Sequence, residues 1–309
     1  MFRKSSRSLT GLVVLIAALA GLVAGLLAAI TSPVPAELFG RLSYQVRHTL
    51  GLEKNWFIPP GPSQAAGRTP RTCPSPDDAV VLVIGGQSNA SNVVPVLHKV
   101  QNDVAVWFDG KCYAADDPIL GATADGGSLW SLLGDQLADQ LNRPVLMIVG
   151  AVGGTQFADW LDSRSGYYQA LSDRIATAHT AGYTPDMILW HQGETDAIVE
   201  RNMERLTQTS GEFIDRLLTD IPDAPLYLFQ ASRCIGPRRV NGVPEVVNVL
   251  QGIAEVRPRV ITGLNTDTLG RDYRWDTCHF NSFGRARIVS EILFDLVTRL
   301  SLLHETPED

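Results

Sequence analysis

A serine, a histidine and an aspartate in two polar segments have the residue types of a catalytic triad. Ser88 lies in the sequence Gly-Gly-Gln-Ser-Asn-Ala at residues 85–90, and Asp276 precedes His279 by three residues near the C-terminus. A nucleophilic serine needs a base that takes its proton, and the base needs an acceptor that fixes its tautomer. Taken singly, the serine could cap a helix and the Asp–His pair could be an ordinary surface hydrogen bond. Together they predict nucleophilic catalysis by Ser88.

Two further segments carry groups that can stabilise negative charge in such a reaction. Gly154 stands in the sequence Gly-Gly-Thr, and consecutive glycines leave backbone N–H groups open to a ligand. Gln192 and Glu194 lie in the sequence His-Gln-Gly-Glu-Thr-Asp at residues 191–196. The Gln192 amide can donate to an oxyanion, and Glu194 can accept a hydrogen bond. An ordinary helix cap in this segment would leave both side chains unexplained.

The groups named above must be positioned by the strands and helices of the fold. In the sequence these are short apolar runs that alternate with longer helical patterns. Continuous apolar runs are typical of parallel strands covered on both faces, so the pattern predicts an α/β fold with a doubly wound parallel sheet flanked by helices. Ligands of such sheets bind beyond the carboxyl ends of the strands. The predicted strands are residues 79–84, 145–149, 187–190, 226–229 and 260–264, and the predicted helices are residues 128–141, 167–181, 197–218, 244–256 and 282–302. A hairpin is expected at 104–113, with Asp109-Gly110 in its turn.

The N-terminal part of the chain predicts a membrane segment. Residues 11–30 are an unbroken run of small and apolar residues, which at about 1.5 Å per residue would cross the roughly 30 Å hydrocarbon core of a bilayer. Three basic residues precede the run, so the positive-inside rule leaves the N-terminus in the cytoplasm and the rest of the chain outside. A cleaved secretory signal ending near residues 34–36 is the alternative, and it also exports the chain. The predicted organisation is a cytoplasmic N-terminus at 1–10, a transmembrane signal anchor at 11–31, a proline-rich stalk at 32–76, a folded domain at 77–303 and a tail at 304–309.

The cysteines indicate disulfide bonds, and the charge balance argues against one class of binding partner. Four cysteines in an exported chain favour disulfides over free thiols, and we predict the pairs Cys73–Cys112 and Cys234–Cys278 because each brackets the ends of neighbouring strands. No spacing resembles a zinc site, so neither a metal nor a cofactor is expected. The net charge of −7 and the lack of a basic cluster argue against binding of nucleic acid.

The chain resembles the SGNH/GDSL hydrolase superfamily, and within it the sialate O-acetylesterase-like group that includes acetylxylan-type carbohydrate esterases. The motifs that carry this resemblance are Gly-Gln-Ser-Asn at 86–89, Gly-Gly-Thr at 153–155, Trp-His-Gln-Gly-Glu-Thr-Asp-Ala at 190–197 and Asp-Thr-Cys-His-Phe at 276–280. The resemblance spans residues 79–302 and implies an SGNH-type esterase domain. It implies that the oxyanion lies between the backbone N–H groups of Ser88 and Gly154 and the side chain of Gln192, which stands where wider SGNH enzymes use asparagine.

The same resemblance assigns the catalytic residues. Ser88 is then the nucleophile, His279 the general base and Asp276 the acid that orients it. In this group the acid can also come from the Gln-Gly-Glu loop, so Glu194 competes with Asp276. We favour Asp276 because a loop residue three before the histidine is well placed to reach its ring nitrogen.

These residues predict a membrane-anchored, extracytoplasmic serine esterase that removes O-acetyl groups from a carbohydrate. The alternatives are an O-acyltransferase that uses the same triad on an envelope glycan, and a non-catalytic glycan-binding module. Several side chains near the motifs could contact a sugar: Trp160, Trp190, Tyr273 and Trp275 by stacking, and Arg233, Arg238 and Arg239 by meeting an acidic group. Large aromatic residues are more often core, and arginines are more often solvated.

Overall fold

Seven strands form one mixed sheet in the computed structural model, which describes residues 58–234 and 241–304. The strands are β1 (Val80–Gly86), β2 (Val104–Phe108), β3 (Lys111–Ala114), β4 (Val145–Ala151), β5 (Met187–His191), β6 (Leu226–Gln230) and β7 (Val260–Asn265). Their order across the sheet is β3-β2-β4-β1-β5-β6-β7, and all neighbours are parallel except β2 and β3. The predicted α/β class is confirmed, with a sheet that is parallel at every pairing except β2 with β3.

The helices cover both faces of this sheet. They are α1 (Leu129–Leu141), α2 (Phe157–Leu161), α3 (Tyr167–Thr180), α4 (Glu194–Val199), α5 (Met203–Asp220), α6 (Pro244–Glu255) and α7 (Ser282–His304). Alternate residues of each strand face opposite sides. In β1, Val81 and Val83 pack in the core beneath α2, α3, α5 and α6, whereas Val80, Leu82 and Ile84 pack in the core beneath α1 and α7. Apolar side chains on both faces explain why the strands are continuous apolar runs.

One predicted helix is two helices in the structure. The sequence pattern gave a single helix at 197–218, but α4 ends at Val199 and α5 begins at Met203. The Asn202 side chain accepts hydrogen bonds from the backbone N–H groups of Glu204 and Arg205, so it caps a new helix. The expectation of one continuous helix was therefore wrong.

The hairpin expected at 104–113 is confirmed and belongs to the main sheet. Asp109 and Gly110 have φ values of 51° and 71°, the left-handed conformations that a two-residue hairpin turn requires. Strand β2 also pairs in parallel with β4, so the hairpin extends one edge of the sheet.

Residues 1–57 and 305–309 lie outside the described residues, so the expected cytoplasmic segment, the anchor at 11–31 and most of the stalk lie there too. No helix in the described part of the chain has the length and apolar character needed to cross a bilayer. Residues 58–76, expected as the end of the stalk, lie against the sheet domain. Gln64 donates to the carbonyl of Ala122 at 2.7 Å, and the Pro74 carbonyl accepts from Tyr183 at 2.7 Å. The folded unit therefore begins before residue 77.

Candidate active site

The register of three adjacent strands brings the candidate segments together. Gly86, the last residue of β1, pairs with Ala151 of β4 on one side and with His191 of β5 on the other. Gly86 has a φ of 130°, and a Cβ there would collide with the His191 carbonyl, so only glycine permits this approach. The loops that carry the serine, the Gly-Gly pair and Gln192 all leave the sheet at this edge.

Ser88, His279 and Asp276 form a continuous chain of hydrogen-bonding contacts. Ser88 begins a short 3₁₀ helix, Ser88–Ala90, and its Oγ lies 2.9 Å from Nε2 of His279. Nδ1 of His279 lies 2.6 Å from Oδ2 of Asp276. The serine and the histidine are 191 residues apart in the sequence. The structure thus brings together the three side chains that the sequence singled out.

The histidine loop, residues 274–280, holds its aspartate in the ionised form. Oδ1 of Asp276 accepts from the backbone N–H groups of Cys278 and His279 at 3.1 and 2.6 Å. Burial opposes ionisation, but the hydrogen bonds and charge of His279 together with these N–H groups outweigh it and lower the pKa of Asp276. Thr277 sits at φ 75°, a strained conformation for a β-branched residue, which lets the loop curl around the carboxylate.

Glu194, the other candidate for the triad acid, has different partners. Its side chain is 1% exposed, and its two oxygens accept from Nε2 of Gln87 at 2.6 Å and from Nδ2 of Asn89 at 2.8 Å. The Glu194 carboxylate also lies 3.5 Å from Nδ1 of His191, a fully buried ring whose pKa is lowered by burial. The contacts of Glu194 therefore fix the residues on either side of Ser88.

Asn89 connects the nucleophile segment to the histidine loop. Its side chain donates to the Cys278 carbonyl at 3.3 Å and accepts from the Phe280 N–H at 3.2 Å. Arg274 donates to the same Cys278 carbonyl, and burial lowers the pKa of Arg274 to about 10. The sequence analysis gave Asn89 no role beyond its place in the Gly-Gln-Ser-Asn motif, and that motif was the usable signal.

Both predicted disulfides are present in the structure. One bond joins Cys234, beyond β6, to Cys278 in the histidine loop, and the other joins Cys73 to Cys112 of β3. The first bond ties the loop directly beside His279, whereas the second ties the N-terminal segment to the edge hairpin. No cysteine of the described residues is free.

The three expected oxyanion donors differ in whether another group of the protein already accepts their hydrogen bond. Within the described part of the chain, the backbone N–H groups of Ser88 and Gly154 have no acceptor, and Gly154 is exposed with φ 72°. Gln192 is fully buried; its amide oxygen accepts from Trp190 at 3.2 Å, and its amide nitrogen lies 3.4 Å from the Thr155 carbonyl. The oxyanion role of all three donors stays a prediction, and among the described residues only the N–H groups of Ser88 and Gly154 have no competing acceptor.

The side chains that were candidates for contact with a sugar differ in their burial. Trp160 and Trp190 are fully buried and pack edge-to-face against each other, so they belong to the core. Trp275 is exposed and stacks on His279. Arg233 is buried and donates to the Asp267 carbonyl. Tyr273 is partly buried against the core, and Arg238 and Arg239 lie outside the described residues. Between residues 58 and 304, excluding 235–240, no group of His, Cys, Asp and Glu side chains could hold a metal ion.

Comparison with known proteins places this arrangement in a family. The profile of the family described as "carbohydrate esterase, sialic acid-specific acetylesterase" matches residues 79–292. No curated protein sequence matches the chain significantly. A protein structure from Arabidopsis thaliana has a TM-score of 0.59 at 14% identity, over 73% of this chain and 99% of that one, which shows a shared fold.

Two solved carbohydrate esterases are also similar. The family 3 enzyme of Clostridium thermocellum has a TM-score of 0.48 at 12% identity, over 72% of this chain and 98% of that one. The family two enzyme of Cellvibrio japonicus has a TM-score of 0.45 at 16% identity, over 75% of this chain and 64% of that one. Because the family profile spans most of the folded domain, including all four motifs, the chain belongs to the carbohydrate esterase family of sialic acid-specific acetylesterases and is a carbohydrate acetylesterase.

Proposed function

We propose that the chain is a membrane-anchored enzyme that removes O-acetyl groups from an extracytoplasmic carbohydrate, with Ser88 as its nucleophile. The observation that carries this proposal is the contact chain from Oγ of Ser88 through His279 to Asp276, at 2.9 and 2.6 Å. This chain can move a proton from the serine to the histidine while the aspartate fixes the histidine's tautomer.

In the acylation step, Oγ of Ser88 attacks the acetyl carbonyl and Nε2 of His279 takes the hydroxyl proton. The oxyanion that forms accepts from the backbone N–H groups of Ser88 and Gly154, which have no other acceptor among the described residues. The intermediate collapses when His279 gives the proton to the sugar oxygen, which leaves as an alcohol.

In the deacylation step, water replaces the sugar. His279 takes a proton from the water as the water attacks the acetyl-serine, and the collapse of the second intermediate returns the proton to Ser88 and releases acetate. Asp276, whose lowered pKa keeps it ionised, stabilises the imidazolium formed in both steps.

Acetate release from a panel of acetylated glycans tests the chemistry, with the full chain purified in mild detergent. O-acetylated N-acetylneuraminic acid is the first substrate to test, because the family description names sialic acid. Ser88→Ala is expected to lower kcat by at least about 10³-fold. Ser91→Ala is the matched control, because its hydroxyl donates to the Gln87 carbonyl instead of facing a histidine. Full activity of the Ser88→Ala protein would refute the proposal.

The transfer of acetyl groups to a second sugar is the competing reaction. The same assay distinguishes it when an unacetylated sugar is added, because hydrolysis releases free acetate in equal amount to the ester consumed. Appearance of an acetylated acceptor in place of free acetate would assign an O-acyltransferase.

The anchoring part of the proposal is supported by the apolar run at 11–30 and by two disulfides, which persist in oxidising compartments. The expected result is that the chain stays in the membrane pellet after alkaline carbonate washing. Protease added to the outer side should then degrade the folded domain. A soluble chain that begins near residue 37 would instead identify a cleaved signal.

A further inference from the structure

One tryptophan beside the proposed catalytic histidine is exposed, unlike the others in the described part of the chain. Trp275 is 52% exposed and directly precedes Asp276. The other four are buried: Trp107, Trp130, Trp160 and Trp190. The half-exposed ring leaves an apolar surface directly beside the proposed catalytic histidine.

Two hydrogen bonds and one ring contact fix the position of Trp275. Its backbone N–H donates to the His279 carbonyl at 3.0 Å, which closes the turn of the histidine loop. Its indole N–H donates to the Val93 carbonyl at 3.0 Å, beyond the Ser88 segment. The indole and imidazole rings stack with centroids 5.9 Å apart and planes 24° apart. The ring is thus a rigid surface one imidazole away from the nucleophile.

We propose that the exposed part of Trp275 is a stacking platform for the sugar ring that carries the scissile acetyl group. This inference rests on the proposed function of the Ser88 site. A reacting carbonyl must come within about 3–3.5 Å of Oγ of Ser88. The attached sugar ring therefore has to lie over the protein surface next to Ser88. A flat apolar indole suits the C–H face of a pyranose, and rigid aromatic contacts of this kind orient ligands.

The polarity of the platform fits this ligand. The only polar atom of the indole is committed to Val93, so the ring offers an apolar contact and no hydrogen bond. The segment that accepts this bond continues to Val96 and Leu97, whose side chains are also exposed. The sugar hydroxyls would then face solvent or other polar groups while one ring face covers the indole.

The experiment compares two acetyl esters in the full-length protein. O-acetylated N-acetylneuraminic acid presents a pyranose, whereas ethyl acetate presents the same acetyl group without any ring. We expect Trp275→Ala to raise KM for the sugar ester about 10-fold and to change kcat/KM for ethyl acetate less than about 2-fold. Trp275→Phe should recover much of the sugar affinity. Phe294→Ala, which removes an exposed aromatic ring on the solvent side of α7, is the control and should change neither.

Three outcomes would overturn the inference. A parallel fall of kcat on both esters would make Trp275 a positioning residue for His279, and unchanged kinetics on both would make it irrelevant to binding. Equal calorimetric affinity of the sugar ester for the Ser88→Ala protein with and without Trp275→Ala would overturn it directly. If the unmutated protein released no acetate but the Ser88→Ala protein still bound the sugar through Trp275, the esterase proposal would fail while the binding site stood.

Discussion

Two carboxylates near Ser88 come from the same edge of the sheet, and the structure gives them opposite surroundings. In the histidine loop, the Asp276 side chain is 24% exposed and contacts the ring nitrogen of His279 at 2.6 Å. In the glutamate segment, residues 192–196, Glu194 is almost fully buried and contacts two side-chain amides. A carboxylate at an active-site edge can thus either tune a base or fix a backbone, and its partners decide which.

Because their partners differ, mutation of Asp276 should reduce activity, whereas mutation of Glu194 should reduce folding stability. Removing the charge of Asp276 should affect the reaction with little effect on folding, because its partners are the histidine and two N–H groups of its own loop. Removing the charge of Glu194 should mainly affect folding, because it leaves buried donors without an acceptor.

The largest expected effect is that of Asp276→Asn. An amide can still accept from the loop N–H groups, but its NH₂ would then face Nδ1 of His279 and favour the tautomer with the proton on Nε2. That tautomer cannot take the proton of Ser88, so kcat on an acetyl ester should fall by about 10⁴-fold with a near-native melting temperature. Steady-state kinetics and thermal unfolding check this, and a loss smaller than that of Glu194→Gln in folded protein would move the acid role to Glu194.

The next largest effect is the fall in kcat when the disulfide beside His279 is removed, compared with removal of the other disulfide. They close segments with sequence separations of 44 and 39 residues, so each should stabilise the fold by a similar amount, about 4 kcal/mol in the chain-entropy description. Only the Cys234–Cys278 bond lies beside His279. We expect Cys234→Ser/Cys278→Ser to lower kcat at least about 10-fold in protein that is still folded, because a loop free to shift loses catalytic alignment.

Cys73→Ser/Cys112→Ser is the matched variant, and its kcat should stay within about 2-fold while its urea midpoint falls by a similar amount. Both measurements belong at a temperature where each variant is folded. Equal kcat values for the two variants would show that the bond next to the histidine does not position the loop.

The sequence predicted the parts of the molecule that depend on one segment at a time. Buried strands are continuous apolar runs, so β1 and β4 to β7 were located to within two residues at each end. The short helix α2 was missed because five residues are too few to show a periodic pattern. The break before Asn202 was missed because apolar residues keep helical spacing across it.

The parts of the site that depend on side-chain orientation could not be predicted in the same way. Ser88, Asp276 and His279 have chemical types that need one another, so their meeting was foreseeable. The orientation of Gln192 depends on its neighbour Trp190 and on Thr155, which comes from another segment, and no pattern in the chain encodes the contact with Thr155. Glu194 was a fair rival to Asp276 by sequence, and only its contacts separate the two.

A smaller effect is expected from Glu194→Gln. The glutamine side chain must turn an NH₂ group toward either Gln87 or Asn89, both of which donate to the present carboxylate. One buried donor then lacks an acceptor, which should lower the free energy of unfolding by about 3 kcal/mol. The exposed Glu204→Gln in α5 is the control and should change it by less than about 0.5 kcal/mol. Equal urea midpoints for the two variants would contradict the structural role of Glu194.

The smallest expected effect belongs to Asp196, the second carboxylate of the glutamate segment. Burial raises the pKa of Asp196 to about 7 from its ordinary value of 3.8, and the nearby Glu194 acts in the same direction. Between these two values the folded protein holds a proton that the unfolded chain has released, so the free energy of unfolding falls as the pH rises from about 4 to about 7. Asp196→Asn cannot titrate and can still accept from the Phe157 N–H, which donates to Asp196 at 3.1 Å.

The variant should therefore gain stability relative to the unmutated protein as the pH rises, by on the order of 2 kcal/mol between pH 5 and pH 6.5, because one pH unit between the two pKa values corresponds to about 1.4 kcal/mol. Asp117, whose pKa burial also raises, is present in both proteins and cancels in the difference. Urea unfolding at pH 5 and pH 6.5 measures the gain. Parallel pH dependences of the two proteins would contradict this and would mean that Asp196 is ionised in the folded protein.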